Sequence, residues 1–553
     1  MRMERAAGAL GLALLMAACG GGGGGKGGAA EQAAADTTSE ARRFGGTAVV
    51  GNLGEIPDID PLTSTDYTAN QLQMFALFTP LIQYDAKFEP VPYLAKSWEV
   101  NADTTQLTFH LRDDIYWQDG VKTSAYDVKF SYDLARDPDT GYPNLAFWTD
   151  FGDATVPDSF TFVVKMRPHA DYMDPWRSFA PAPEHVLRGV APAQIRNHPF
   201  STRAPVGNGP FKFVSHVEGQ SWTFAANERW PKELGGRPYV DRIVVRVIPE
   251  PTTMLTELLS GNIDYYIAPS PESAQQIETN PNTRLISYPD RQFVVVSWNE
   301  RRPLFRDVNV RRALTMAIDR QGIVTGVRRG YGELANSTVP PFYWNYDPNA
   351  GADLKYDPAA AKALLARAGW RDTNGDGILD RDGKPFSFTL YTNSGNQERI
   401  DITQVVQAQL RAVGVDAHPQ VLEWGTLLDR LQREPRTYDA AVVGWVTEFR
   451  IDDSDLFSCK KLKGPFQWVG YCDPETERYL DTLPKIVSRA ASKPLWLQYQ
   501  EKIAHDQPFT FLYYTRRLEG VHERLRNVHP DARGDWTGAP RWFLDPAQRR
   551  PGR

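Results

Sequence analysis

Cysteine is scarce in this chain, with three residues in 553, and histidine and methionine are nearly as rare at nine and eight. Cys19, Cys459 and Cys472 form no Cys-x-x-Cys pair and have no histidine at ligand spacing, which excludes a zinc site built from a local motif. Positive charge is not in excess either. Lys and Arg number 62 against 68 Asp and Glu, a net charge of −6, the wrong sign for a surface that follows a phosphate backbone. The N-terminal apolar run, residues 6–18, falls short of the ~20 residues that cross a bilayer. The chain has no Walker phosphate loop, no Gly-x-Ser-x-Gly elbow and no His-Glu-x-x-His. It shows no internal repeat. Local catalytic signatures are therefore absent, and nucleic acid is excluded as a partner.

Aromatic residues, in contrast, are plentiful: 15 Trp, 23 Tyr and 26 Phe. Such residues fill cores, and they also line sites where one edge stays polar. The length suits two to four domains. Arg2 and Arg5 precede the apolar run, the layout of an export signal. Leu15-Met16-Ala17-Ala18-Cys19 resembles the lipobox of bacterial lipoproteins, which implies that residues 1–19 are a lipoprotein signal and that Cys19 is acylated and becomes the mature N-terminus. Six glycines, Gly20–Gly25, and a small polar stretch follow. Residues 20–44 are expected to be a flexible tether, because this composition cannot bury a core.

From Thr47 the pattern alternates between strands and helices. Thr47–Asn52 reads as a strand, residues 70–78 as a helix, and Leu107, Phe109 and Leu111 alternate as a strand. Residues 127–128 open a helix, and residues 156–166 add strand signal. Phe211–Val214 and the alternation Ile243, Val245, Val247 predict two more strands. Thr252 is expected to cap a helix with Leu255, Leu258 and Leu259 on one face, stopped by Gly261. Further on, Asp307 caps a helix with Val310, Ala313, Leu314, Ala317 and Ile318. Asp357-Pro358 begins another, with Ala361, Leu364 and Leu365 inward and Gly369 at its end. Phe386, Phe388 and Leu390 form a strand, Val406, Leu410 and Val413 a helix ended by Gly414, and residues 439–445 a buried strand. The alternation implies an α/β architecture.

Two stretches invite chemistry. Asp372, Asn374 and Asp376 with Gly377 match the opening of a calcium loop, with oxygens at positions one, three and five. Position twelve is Gly383, where such a loop needs a bidentate Glu, so a polar turn is the simpler reading. The second is Gly444-Trp445-Val446-Thr447-Glu448-Phe449, directly after the buried strand. The end of a strand in an α/β sheet is where ligands sit, although Trp445 also suits core packing and Glu448 an exposed loop.

Read together, PVGNGPFKF at 205–213, RPYVDRI, VIPEPTTML, LLSGNID and the earlier RDDIYWQDGVKTSAYDVKFSY resemble the extracellular solute-binding proteins of family 5. These are the peptide-type binding proteins that feed ABC importers. The resemblance extends over nearly all of the chain after residue 45. It implies a periplasmic-binding-protein type II-like fold of two α/β lobes with an additional inserted domain. Lobe I would hold residues 45–89, 205–292 and 500–545, the insertion 90–204, and lobe II 293–499. The protein would be a monomer without a cofactor, exported and lipid-anchored. It would capture di- to oligopeptides by hinge closure and pass them to a permease. In dipeptide- and oligopeptide-binding members the motif is Gly-Trp, two residues and then an Asp, which receives the ligand's ammonium group. Here that position is Glu448, one methylene longer, with Asp452, Asp453 and Asp455 as nearby alternatives. By segment, the resemblance places Tyr67 (with Thr65), Trp298, Asn299 and Trp424 beside the cleft, and makes Arg399 a candidate for a ligand carboxylate. Cys459 and Cys472 match a cysteine pair of some dipeptide-binding members and imply a disulfide. Relatives on this scaffold carry oligosaccharide, nickel or haem, and an exported hydrolase or a surface sensor would be a different class of use.

Overall fold

The computed structural model describes residues 38–549; the leader, Cys19 and the glycine run lie outside these residues. Among the described residues no helix is long and apolar enough to cross a membrane. Glu40–Arg549 forms one compact unit.

One eleven-stranded sheet runs through the unit. Its middle is a pair of long antiparallel strands, Thr283–Trp298 and Phe509–His522. Outward on one side lie Tyr265–Ile267, Thr47–Asn52 and Arg242–Val247, followed by Ser221–Ala226 and Phe211–Val217. On the other side come Ala440–Val446, Ser387–Asn393 and Asp416–Leu422, the last three mutually parallel. The two long strands change register between Pro289 and Phe293. Residues 283–289 and 516–522 belong to the first half of the sheet, and residues 293–298 and 509–514 to the second.

Side-chain alternation explains the layering. Val294, Val296 and Trp298 enter one core with Ala440, Val442 and the helices Val308–Met316 and Gln397–Arg411. Phe293 and Val295 enter another, on the opposite face, with Ala441, Val443 and the helix Arg489–Asp506. Strand side chains with a period of two are buried on both faces, so the strand reads as a continuous apolar run. Residues 95–166 supply a separate antiparallel sheet of four strands, packed by the helix Ala125–Arg136 and by Trp148 and Trp176. This segment shares one apolar core with Ala48, Val50, Ile243 and Trp542.

Capping follows the chemistry of the predicted stops, with three differences. Asp307 and Asp357 accept from the backbone of Asn309 and Ala360, and Gly261, Gly369 and Gly414 take the left-handed conformation that ends a helix. The helix at 251–259 starts with Pro251 at its first turn, so Thr252 lies inside the helix and does not cap it. The helix expected at 70–78 begins earlier, at Tyr67 behind Asp66, and widens into a π turn over Gln73–Leu77. The end of the expected tether is docked: Glu40–Arg43 is helical, the Phe44 ring packs edge-on to Tyr239 at 5.1 Å, and Arg549 donates to the carbonyls of Arg42 and Phe44.

Candidate functional site

The carboxyl ends of the parallel strands and the register shift of the long strands converge on a cleft. In an α/β sheet this edge is open because backbone and loop groups there are not covered by the next layer. Two cavities occupy it. The larger, about 520 Å³, is walled by Asp290, Gln292, Arg328, Glu398, Arg399 and Arg517, among others. The smaller, about 280 Å³, is lined by Thr65, Tyr67, Asp174, Arg177, Arg291 and Glu448, with further polar and aromatic groups. They adjoin. Arg517 on one wall lies over the ring of Tyr67 on the other, 4.6 Å from its centroid, and residues 290–292 serve both cavities.

Glu448 faces the smaller cavity with its side chain 60% exposed, 3.7 Å from Arg291 Nη1. The neighbouring acids are otherwise engaged. Asp452 accepts from the backbone of Ser454, Asp455 pairs with Lys461 at 2.6 Å, and Asp453 is buried, accepting from Thr338 and from Tyr499. Burial pushes Asp453 up to about 6. Only Glu448 of the four lines the cavity. Tyr67 joins it from the opposite side, its hydroxyl donating to Asp535 at 3.1 Å.

Behind Tyr67 sits a buried charged cluster. Arg517 reaches both oxygens of Asp535, and its Nε also reaches Glu519 at 3.3 Å. Tyr288 donates to Asp535 and to Glu519. Two carboxylates thus share one guanidinium in the interior. Burial, followed by the repulsion of Asp535, holds the Glu519 carboxyl well above the usual range.

The other residues singled out in the sequence are placed differently. Trp298 and Asn299 are fully buried, away from both cavities: Trp298 donates to Thr510, and Asn299 donates to the carbonyls of Arg436 and Tyr438. Their polar groups are satisfied inside the second half of the sheet, so their place in the strand pattern reflects packing. Trp424 is an exposed residue in the first turn of the helix Trp424–Gln432 and lines neither cavity. Trp445 packs edge-on against Phe466 and Trp468. Gly444 and Arg399 meet each other: a Cβ on Gly444 would stand 2.6 Å from Arg399 Nη2. Arg399 donates to Asn393 and opens on the larger cavity, apart from Glu448. Asp372 accepts from the backbone of Gly375 and Gly377, and Asn374 donates to Asp376, so this loop is a self-bonded polar turn. Among the described residues no group of three or more acids, His or Cys is arranged to hold a metal. Cys459 and Cys472 are joined as a disulfide.

Sequence reading missed Arg177, Arg291 and Asp174. Their signals were present but faint: Arg177 is a lone cation between Trp176 and Phe179, and Asp290-Arg291-Gln292 is a polar triplet directly before the apolar run 293–296. Asp174 is buried; it accepts from Tyr84 and from the backbone of Arg450, while burial raises its carboxyl and Arg177 pulls it back.

Comparison with known proteins bears on this geometry. Residues 89–463 match the profile described as bacterial extracellular solute-binding proteins, family 5 Middle. The chain is 33% identical over 507 residues to the oligopeptide-binding protein AppA of Bacillus subtilis (strain 168), covering 90% of this chain and 92% of that one. The solved structure of the Bacillus subtilis protein in complex with a nonapeptide superposes with a TM-score of 0.74 at 32% identity, over 91% of this chain and 99% of that one. The substrate-binding protein CtaP of Listeria monocytogenes has the same fold, with a TM-score of 0.80 at 20% identity over 91% and 99% of the two chains.

Proposed function

Since the chain belongs to the bacterial extracellular solute-binding proteins of family 5, we propose that it is the capture subunit of an ABC importer and that its cargo is an oligopeptide. The fold is that of the type II periplasmic binding proteins, and the family consists of exported binding proteins. The observation that carries the reading is the match to the oligopeptide-binding protein AppA along nine-tenths of the chain. The cleft is consistent with it, because two adjoining cavities give room for an extended chain, whose backbone hydrogen-bonds like an added strand.

In this reading residues 45–89, 205–292 and 500–545 are lobe I, 90–204 the insertion and 293–499 lobe II. The register shift between Pro289 and Phe293 is the hinge, where irregular pairing lets the two long strands bend. Glu448 receives the peptide's ammonium group, the charge-assisted partner that a carboxylate beside a narrow cavity offers. Tyr67 contacts the ligand from lobe I. Cys19 carries the lipid anchor, residues 1–19 are its signal, and the protein acts as a monomer that hands its peptide to the permease.

The test is a thermal-shift series with pentapeptides bearing free or acetylated N-termini, on wild type and Glu448→Gln. Free-amine peptides should stabilise wild type, and acetylated ones should do so less; the variant should lose the difference. Stabilisation by a sugar or a metal chelate, with no response to any peptide, would overturn the peptide assignment.

A further inference from the structure

The smaller cavity holds a cation that makes no direct contact with a carboxylate. Arg177 lies in the short helix Asp174–Ser178, largely out of water, and its guanidinium carbon sits 3.8 Å from the centre of the Phe449 ring. Its Nε has no hydrogen-bond partner, and Nη1 reaches only the sulfur of Met74 at 3.6 Å. Thioether sulfur is a weak acceptor. The adjacent acid acts on it only through space, because the oxygens of Asp174 accept from Tyr84 and from the Arg450 backbone and neither bonds the guanidinium. Among the described residues no ion pair includes Arg177.

Several sheltered guanidinium groups of this molecule are met at close range. Arg311 has Glu300 and several carbonyls, Arg320 has carbonyls of Ala335, Leu354 and Phe511, Arg517 has Asp535, and Arg524 has Asp264. Taking a cation out of water costs several kcal/mol unless a partner replaces the lost hydration. Arg177 lacks such a close partner, and it opens on a cavity. Arg291 stands nearby, its guanidinium carbon 4.4 Å from the centre of the same Phe449 ring, and it is the residue that touches Glu448. This chain of contacts keeps Arg177 within about four residues of extended peptide from Glu448, at ~3.5 Å per residue.

We propose that Arg177 is a specificity-determining residue that binds a carboxylate of the peptide, close to the end whose ammonium meets Glu448. The cleft then has an anionic and a cationic pole a few residues apart, and it selects peptides that match both. The carboxylate is either an acidic side chain early in the peptide or the C-terminus of a short one. This rests on the peptide-binding reading above.

The experiment is calorimetric titration of the full-length protein with alanine pentapeptides carrying one Glu, or one Gln, at each position in turn. Each is made as the free acid and as the C-terminal amide, and alanine tri- and tetrapeptides are made in both forms. A charge-assisted bond in a sheltered site is worth ~1.5–3 kcal/mol, so the matching carboxylate should bind about 10- to 100-fold tighter than its amide counterpart. Arg177→Met should abolish that preference, and Arg177→Lys should retain part of it. A Glu-over-Gln preference identifies the side chain as the source; an acid-over-amide preference confined to the short peptides identifies the C-terminus. Equal affinities across both comparisons in wild type would overturn the proposal without any variant, and so would a preference that survives in Arg177→Met. If no peptide of any kind binds wild type, the peptide reading itself falls and the proposal falls with it.

Discussion

Glu519→Gln should make the protein less sensitive to rising pH. In the folded state Glu519 is enclosed, with Tyr288 donating to one oxygen and the Ala268 amide to the other. Arg517 is shared with Asp535, which holds it more closely. The carboxyl is raised by burial first and by Asp535 second, so the folded protein keeps a proton that the unfolded chain releases near its ordinary value of 4.5. A folded-state pKa above the unfolded one means that stability is fully present below the unfolded pKa and falls as pH climbs toward the folded one. The slope is at most ~1.4 kcal/mol per pH unit. Gln keeps a carbonyl acceptor for Tyr288 or Ala268 and does not titrate. Above about pH 5.5 the wild type should therefore lose up to ~1.4 kcal/mol per pH unit relative to the variant until the folded-state carboxyl ionises. For a chain of this size that is roughly 1 °C in melting temperature per pH unit, since the unfolding entropy scales with length. Asp60 and Asp453, pushed to about 6, and Glu300, pushed to about 8, titrate in both proteins and drop out of the difference. Urea midpoints or calorimetric melts across the pH range give the measurement. Parallel curves for the two proteins would show that Glu519 is ionised in the fold and that the account of the shared guanidinium is wrong.

Two further substitutions probe the frame around the cleft. Gly207→Ala would place its Cβ 2.3 Å from the Leu77 carbonyl oxygen, a backbone atom of the π turn that cannot step aside, and should cost about 2–3 kcal/mol in urea unfolding. A cost near zero would mean that the π turn yields. Replacing Cys459 and Cys472 with Ser opens a link of sequence separation 13 and should lower stability by about 3 kcal/mol. Peptide affinity should hold, because neither cysteine lines a cavity; a loss of affinity at unchanged stability would place that loop in the site.

Much of the fold was legible in the chain because its signals are local. A capping Asp at 307 or 357, a glycine at 261, 369 or 414, and an apolar strand at 440–446 act through neighbours in sequence, and the residues concerned behave as their chemistry demands. The errors arose where position in sequence stood in for position in space. Trp298 and Asn299 lie in an apolar strand and the turn after it, and nothing local says whether such residues end at a ligand or in a core; partners at Thr510 and Tyr438 decide it. Likewise Glu448 and Asp453 are equivalent acids in the sequence, five residues apart. Only the fold turns one into the cavity and buries the other beneath Tyr499.

The sequence by itself determined the family, the alternating α/β architecture and the segment that carries Glu448, because ordered motifs and periodicity survive without any contact being known. The tertiary structure alone decided which charges face each other. Arg177 and Glu448 stand 271 positions apart and line one cavity, and Tyr67 reaches Asp535 across 468. Such encounters depend on where two long strands change register and on which side chains find partners in the interior. Electrostatic energies fall off with distance in space, and distance along the chain carries almost no information about it.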